Sequence, residues 1–181
     1  QGDWSADRLG AALQDAGLSP RIIDIKRSDP QRALVAPADL YVIAGGDGTV
    51  AKIAPLLPRG ARFAVLPLGT ANNVARAHGI HSEPGMVISH LPDADECAFP
   101  LLRVEANGRD QVLTEALGLG ALSASMEMAE AGKTGSAKIA EGRRSFAQAL
   151  RQAIPKAHLI EVEGNARESE LLMLEALAHG R

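Results

Sequence analysis

The sequence predicts an α/β protein in two parts. Residues 1–91 read as a layered parallel α/β domain, and residues 92–181 as a β-rich domain with a helical insertion. Three observations carry this reading. "DLYVIA" and "ARFAVLPL" are nearly unbroken apolar runs, as expected of parallel strands buried on both faces. Each is followed by a glycine-rich turn and then a helical pattern, the order of a strand–helix unit. Beyond residue 96, "NG" separates two further β-type runs, the signal of a hairpin.

Taken in order, "DWSADRLGAALQDAG" predicts an amphipathic helix. Leu9, Ala12, Leu13 and Ala16 fall on one face. Asp3 or Ser5 caps its start and Gly17 takes the left-handed position after its end. "PRIIDI" reads as a short β-type run over Arg21 to Ile25, and "SDPQRALV" as a one-turn helix with Pro30 at its first position. The strand Leu40 to Ala44 follows. "TVAKIAPLL" has helical spacing interrupted by Pro55, which predicts a short or kinked helix. "ARFAVLPL" is the next strand. "GTANNVARAHG" predicts a helix closed by Gly79, and "EPGMVISHL" a further short helix.

The pattern changes near Leu91–Glu96. "CAFPLLRVEA" and "RDQVLTEALGLG" read as two strands joined at Asn107-Gly108. "ALSASMEMAEAG" and "AKIAEGRRSFAQALRQAI" read as helices, and "AHLIEVEG" as a strand. "ESELLMLEALA" has helical propensity, yet it also fits a strand pairing back on Leu159–Val162.

Composition narrows the function classes. With 46% hydrophobic residues and 23% charged residues, the 181-residue chain reads as an ordinary globular protein. A net charge of -3 and a pI near 6.0 argue against a general nucleic-acid binder. Cys97 is the single cysteine, which fits a reducing compartment; it reads as a small buried hydrophobe rather than a nucleophile. The five histidines show no zinc spacing and are expected at the surface, so no metal ligands are assigned. No apolar run has the length of a membrane span, and "QGDWSADR" lacks the character of a signal peptide. The expected location is the cytoplasm, with peripheral membrane contact left open.

The two glycine turns carry the chemistry. "IAGGDGTVAK" ends one predicted strand. Gly45 and Gly46 allow backbone N–H groups to approach an anion, and Gly48-Thr49 opens a helix whose free N–H groups favour phosphate. The Thr49 hydroxyl can cap that helix or touch a phosphate oxygen. A carboxylate in such a loop repels phosphate unless a metal or a reacting hydroxyl lies between them. Asp47 therefore points to a Mg²⁺–nucleotide site or to acid/base work, against the plainer reading of a tight turn with Asp47 as helix cap. "LPLGTANN" ends the next strand, so a parallel sheet brings both turns to one edge. Gly69 gives a second close approach, and Thr70 can bond phosphate. Asn72 and Asn73 can bond ribose or phosphate, or cap the helix. Arg76, four residues after Asn72, either faces the same site or is solvated.

"GGDGT" followed by "LPLGTANNVAR" resembles the catalytic domain of the diacylglycerol kinase family, which includes bacterial lipid kinases and sphingosine and ceramide kinases. The first turn is shared with NAD kinases and 6-phosphofructokinases; "PLGTANNVAR" separates the lipid kinases from them. The resemblance is strong over 39–80 and fainter to about 177, where "TEALGLGALSASM" resembles the start of the family's β-sandwich domain.

The resemblance implies an NAD kinase-like α/β domain and a sandwich-type second domain, with ATP-dependent phosphorylation of a lipid hydroxyl. It implies that Gly45, Gly46, Asp47, Gly48 and Thr49 line the phosphates and ribose, with Thr70 opposite and Mg²⁺ on the phosphates. The residues themselves add Gly69 and Asn72 as nucleotide contacts and Asp47 as the candidate catalytic carboxylate. Partners would be ATP and a diacylglycerol- or sphingoid-like lipid, with a homodimer open. Departures exist. The family carries Asn-Asp where this chain has Asn72-Asn73, glycine where it has Ala71, and a threonine where it offers only Ser28. The sequence is expected to lack the family's first strand and its C-terminal metal loop and acidic catalytic residue. Two other readings stand beside the kinase: a non-catalytic nucleotide-binding module, and an NAD-kinase-like enzyme.

Overall fold

A computed structural model of the chain describes residues 4–106, 108–128, 135–162 and 165–178. Helix α1, Ala6–Asp15, begins at Ser5, whose hydroxyl accepts from Arg8 N at 3.2 Å, and closes with Gly17 at φ 81°. The alternative cap, Asp3, lies outside the described residues. Helix α2, Pro30–Ala33, is a single turn with Pro30 at its first position, capped by the Asp29 carboxylate. The β-type run at 21–25 forms no strand. Its Asp24 instead closes a turn, accepting from Lys26 N on the side chain and from Arg27 N and Ser28 N on the carbonyl. An apolar extended segment becomes a strand only with a ladder partner, and strand β1 pairs with β2 alone among the described residues.

Strands β1, Tyr41–Gly45, and β2, Phe63–Pro67, are parallel and in register from Tyr41↔Phe63 to Gly45↔Pro67. Between them run helix α3, Asp47–Ile53, and a 3-10 turn at Ala54–Leu56, where Pro55 ends the α-helical pattern. After β2 come α4, Asn73–Ala77, closed by Gly79 at φ 77°, and α5, Pro84–His90. Both faces of the two-stranded sheet are covered, which is why its strands are apolar throughout. On one face Ile43 and Val65 pack with Val50, Ile53, Ala54, Val74 and Ala75. On the other, Leu66 packs with Leu9, Leu13 and Ile88.

Strands β3, Leu102–Ala106, and β4, Arg109–Leu113, form the expected hairpin, with Gly108 at φ 69°. Asn107 lies outside the described residues. Arg103 and Asp110 pair across the hairpin through a forked guanidinium–carboxylate contact, Nε lying 3.0 and 2.9 Å from the two oxygens. The Arg103 hydrogen bond holds the Asp110 carboxyl below its ordinary range. The run after the turn is not one strand as expected. It bends at buried Thr114 and at Glu115, and β5, Ala116–Gly120, continues elsewhere.

The chain packs as two compact units, one reaching Glu115 and rejoined at Ala178, the other Ala116–Leu177. The packing boundary lies downstream of the composition change read near residue 91, because the β3–β4 hairpin packs with the first unit. In the second unit β5 pairs antiparallel with β8, Met173–Leu177, and β6, Lys156–Val162, with β7, Asn165–Leu171. "ESELLMLEALA" is therefore strand, its helical propensity overridden by ladder pairing such as Leu159↔Glu168. Helices α6, Ala121–Met128, and α7, Gly135–Gln152, form the helical insertion between β5 and β6. No described helix is long and apolar enough to cross a membrane.

Leu66 is fully buried at the centre of the second core face. Leu66→Ala is expected to cost about 2–5 kcal/mol, read as a lowered urea midpoint with an unchanged slope.

Candidate functional site

Parallel pairing places both strand ends at one edge of the sheet. The ladder continues one step past the strands, with Leu68 N donating to Gly45 O at 3.1 Å. The two glycine turns therefore start side by side, and they touch through their main chains. A Cβ added to Gly46 would stand 2.9 Å from Gly69 Cα, and one added to Gly69 would collide with Gly46 Cα. No side chain fits at either position without moving backbone. Gly45 is glycine for a different reason: the Thr49 side chain folds over it, and a Cβ there would lie 2.5 Å from Thr49 Cβ. Gly48 faces open space.

Asp47 does not cap its own helix. It is the first residue of α3, whose cap position is Gly46, with no side-chain cap. Its Oδ1 instead accepts from Val74 N, in the first turn of α4, at 3.0 Å. The carboxylate thus caps the helix of the other turn, satisfying an N–H that the helix itself leaves unpaired. The second carboxylate oxygen has no hydrogen bond among the described residues. Asn72 is engaged within its own turn. It adopts the left-handed conformation at φ 50°, which asparagine tolerates better than most residues. Its Oδ1 accepts from Gly69 N at 2.9 Å, while Nδ2 donates to Gly69 O at 3.0 Å and Pro67 O at 3.3 Å. That leaves Asp47 as the cap which α4 would otherwise draw from Asn72.

A cleft of about 540 Å³ opens on the outer side of the second turn. Gly69, Thr70, Asn72 and Arg76 line it together with Trp4, His81 and Glu83. Thr70 is exposed, and Arg76 is exposed along the cleft wall rather than turned away from it. Gly45 to Thr49 do not line this cleft; they meet it only through the contact of Gly46 with Gly69. Asn73 points away to a distant partner, its Nδ2 donating to Glu115 Oε1 at 2.8 Å. Sequence reasoning missed Glu115, Trp4 and His81. Trp4 stands just before the helix cap Ser5, a recognisable position. No local pattern marks the other two.

Cys97, expected to be buried, is exposed, with Sγ 3.5 Å from His78 Nδ1. It lies in no helix or strand, so no packed face draws it inward. Among the described residues no group of three or more His, Cys, Asp or Glu could hold a metal. A magnesium ion would therefore depend on phosphate oxygens beside Asp47, a donor set typical of nucleotide-borne magnesium.

The family model described as "Diacylglycerol kinase catalytic domain" matches residues 1–104. A "Probable lipid kinase YegS-like" of Pseudomonas aeruginosa is 44% identical over 82 residues, which is 44% of this chain and 26% of that protein. One of the same name from Stenotrophomonas maltophilia is 39% identical over 77 residues, 39% of this chain and 25% of that protein. The crystal structure of a diacylglycerol kinase from Bacillus anthracis superposes with a TM-score of 0.54 at 21% identity, covering 84% of this chain and 52% of that one. The chain thus matches about a quarter of the length of these curated relatives and about half of that solved structure.

The glycines separate by stability. Gly46→Ala and Gly69→Ala are each expected to lower stability by about 1–3 kcal/mol through forced backbone displacement. Gly48→Ala is expected to stay within about 1 kcal/mol of the parent, since alanine favours a helix. Urea midpoints of the three variants check this order.

Proposed function

The chain belongs to the diacylglycerol kinase catalytic-domain family, and from that premise we propose that it transfers the γ-phosphoryl group of ATP to a hydroxyl of a diacylglycerol- or sphingoid-like lipid. The observation that carries this reading is the backbone contact of Gly46 with Gly69. It sets the start of α3, whose first N–H groups the helix leaves unpaired, beside the second turn, a setting suited to a polyphosphate. The open face of Gly48 leaves room for close approach. Thr70 and Arg76, in the cleft wall, supply a hydroxyl and a positive charge for phosphate oxygens.

The first unit, which holds both glycine turns, acts as the nucleotide-binding domain, and Ala116–Leu177 as part of the lipid-binding domain. In the reaction the lipid oxygen forms a bond to the γ-phosphorus. The bond from that phosphorus to the bridging oxygen breaks, and ADP leaves. The hydroxyl proton passes to a carboxylate. Asp47 is the candidate in this chain, because Val74 occupies one of its oxygens and fixes the direction of the other. Magnesium carried on the phosphate oxygens would draw charge from the transferring group. Since the acceptor is a lipid, a protein from the cytoplasm meeting a membrane surface fits this chemistry.

A second reading, a nucleotide-binding module without turnover, is favoured by one observation. Asn73 is neutral and spent on Glu115, which leaves Asp47 as the only carboxylate within the two turns.

The test uses the full-length protein with γ-labelled ATP and a panel of diacylglycerol, sphingoid-base and NAD acceptors. Label is expected in a lipid. Binding of ATP without transfer selects the module reading, and labelled NADP selects an NAD kinase. Asp47→Asn keeps an acceptor for Val74 N, so folding is expected to persist while turnover falls by about 10²–10⁴-fold, the usual range for a lost acid/base group.

A further inference from the structure

Helix α4 is held at its first residue from far away in the chain. Asn73 Nδ2 donates to Glu115 Oε1 at 2.8 Å, across 42 residues of sequence. Glu115 stands just beyond β4, and its own carbonyl accepts from Ala178 N at 2.8 Å, so its backbone is anchored as well. The next residue of α4, Val74, donates its N–H to Asp47 Oδ1. Two carboxylates therefore grip two consecutive residues of one helix start. Glu115 does so through a side-chain amide, Asp47 through the main chain.

The charge pattern of the pair is specific. Asn73 is a neutral donor facing an anion, so the bond is charge-assisted. An aspartate at 73 would set two carboxylates at hydrogen-bond distance, an arrangement disfavoured unless one is protonated. The pair thus carries one negative charge, and the fold places it on residue 115 rather than residue 73. A purely local cap would need no partner so remote. A bond of this reach fixes the helix start against another part of the unit, beside the residue that orients Asp47.

We propose that Glu115 is a positioning residue of the two-turn site: its carboxylate holds Asn73, fixes the start of α4 and, through Val74 N–H, sets the direction of the Asp47 carboxylate. The effect on turnover rests on the kinase reading; the effect on α4 does not.

The experiment compares Glu115→Ala, Asn73→Asp and the exchanged pair Asn73→Asp with Glu115→Gln, all in the full-length protein. The exchanged pair keeps one carboxylate and one amide but reverses donor and acceptor. Amide hydrogen exchange at Val74 is expected to quicken by about 10-fold in each single variant, the scale of one lost charged hydrogen bond, while Leu66 N–H is unchanged. The exchanged pair is expected to return Val74 to the parent rate. In the kinase assay the single variants are expected to lose about 10-fold in kcat/KM for MgATP with the lipid KM unchanged, and the exchanged pair to recover it. Unchanged exchange at Val74 overturns the proposal. Equal quickening at Val74 and Leu66 also overturns it, because that marks general destabilisation. So does failure of the exchanged pair to restore the parent rate. If the parent protein neither binds nor turns over ATP, the kinase reading falls, and the exchange data still decide the role of Glu115.

Discussion

The site depends on one contact, the main chain of Gly46 against the main chain of Gly69. Parallel register brings the two turns abreast, with Gly45 opposite Pro67. Once their backbones touch, neither turn can carry a side chain at the point of contact. The bridging work passes to the flanking residues. Asp47 reaches across to the first turn of α4, and Asn72 folds back to brace its own turn. The apolar strands serve this arrangement by burying both faces of the sheet, with Ile43 and Val65 on one side and Leu66 on the other. The edge is therefore built from turns braced by their own hydrogen bonds.

The same contact sorts the motif residues. Gly46, Gly69 and Asn72 build the turns, and Gly45 makes room for Thr49. Gly48, Thr70 and Arg76 are free of such duties in the geometry described and face open space or the cleft. A motif letter alone does not distinguish these groups. Gly46 and Gly48 look alike in "GGDGT", yet one is demanded by packing and the other faces open space.

Much of this was legible in the sequence. Unbroken apolar runs announced the doubly covered strands, Pro55 the shortened helix, and Gly17 and Gly79 the helix ends. Those features are local, fixed by backbone preference and burial. Two expected strands depart from the structure, and Cys97 is exposed rather than buried. Residues 21–25 have strand-like composition but no ladder partner, and composition does not encode pairing. The run from 109 to 120 reads as one strand, but Thr114 and Glu115 break it where the chain passes between units. That Asp47 caps α4 is not legible in its own turn, because the register that joins the turns is a tertiary fact. The Asn73–Glu115 bond was invisible for the same reason.

The most direct test of a shared phosphate cradle is a crystal structure of the full-length protein with Mg²⁺ and ADP bound. The account predicts the diphosphate against the main chain at Gly46–Gly48, with Thr70 within hydrogen-bond reach. Nucleotide seated away from both Gly46 and Thr70 would contradict it.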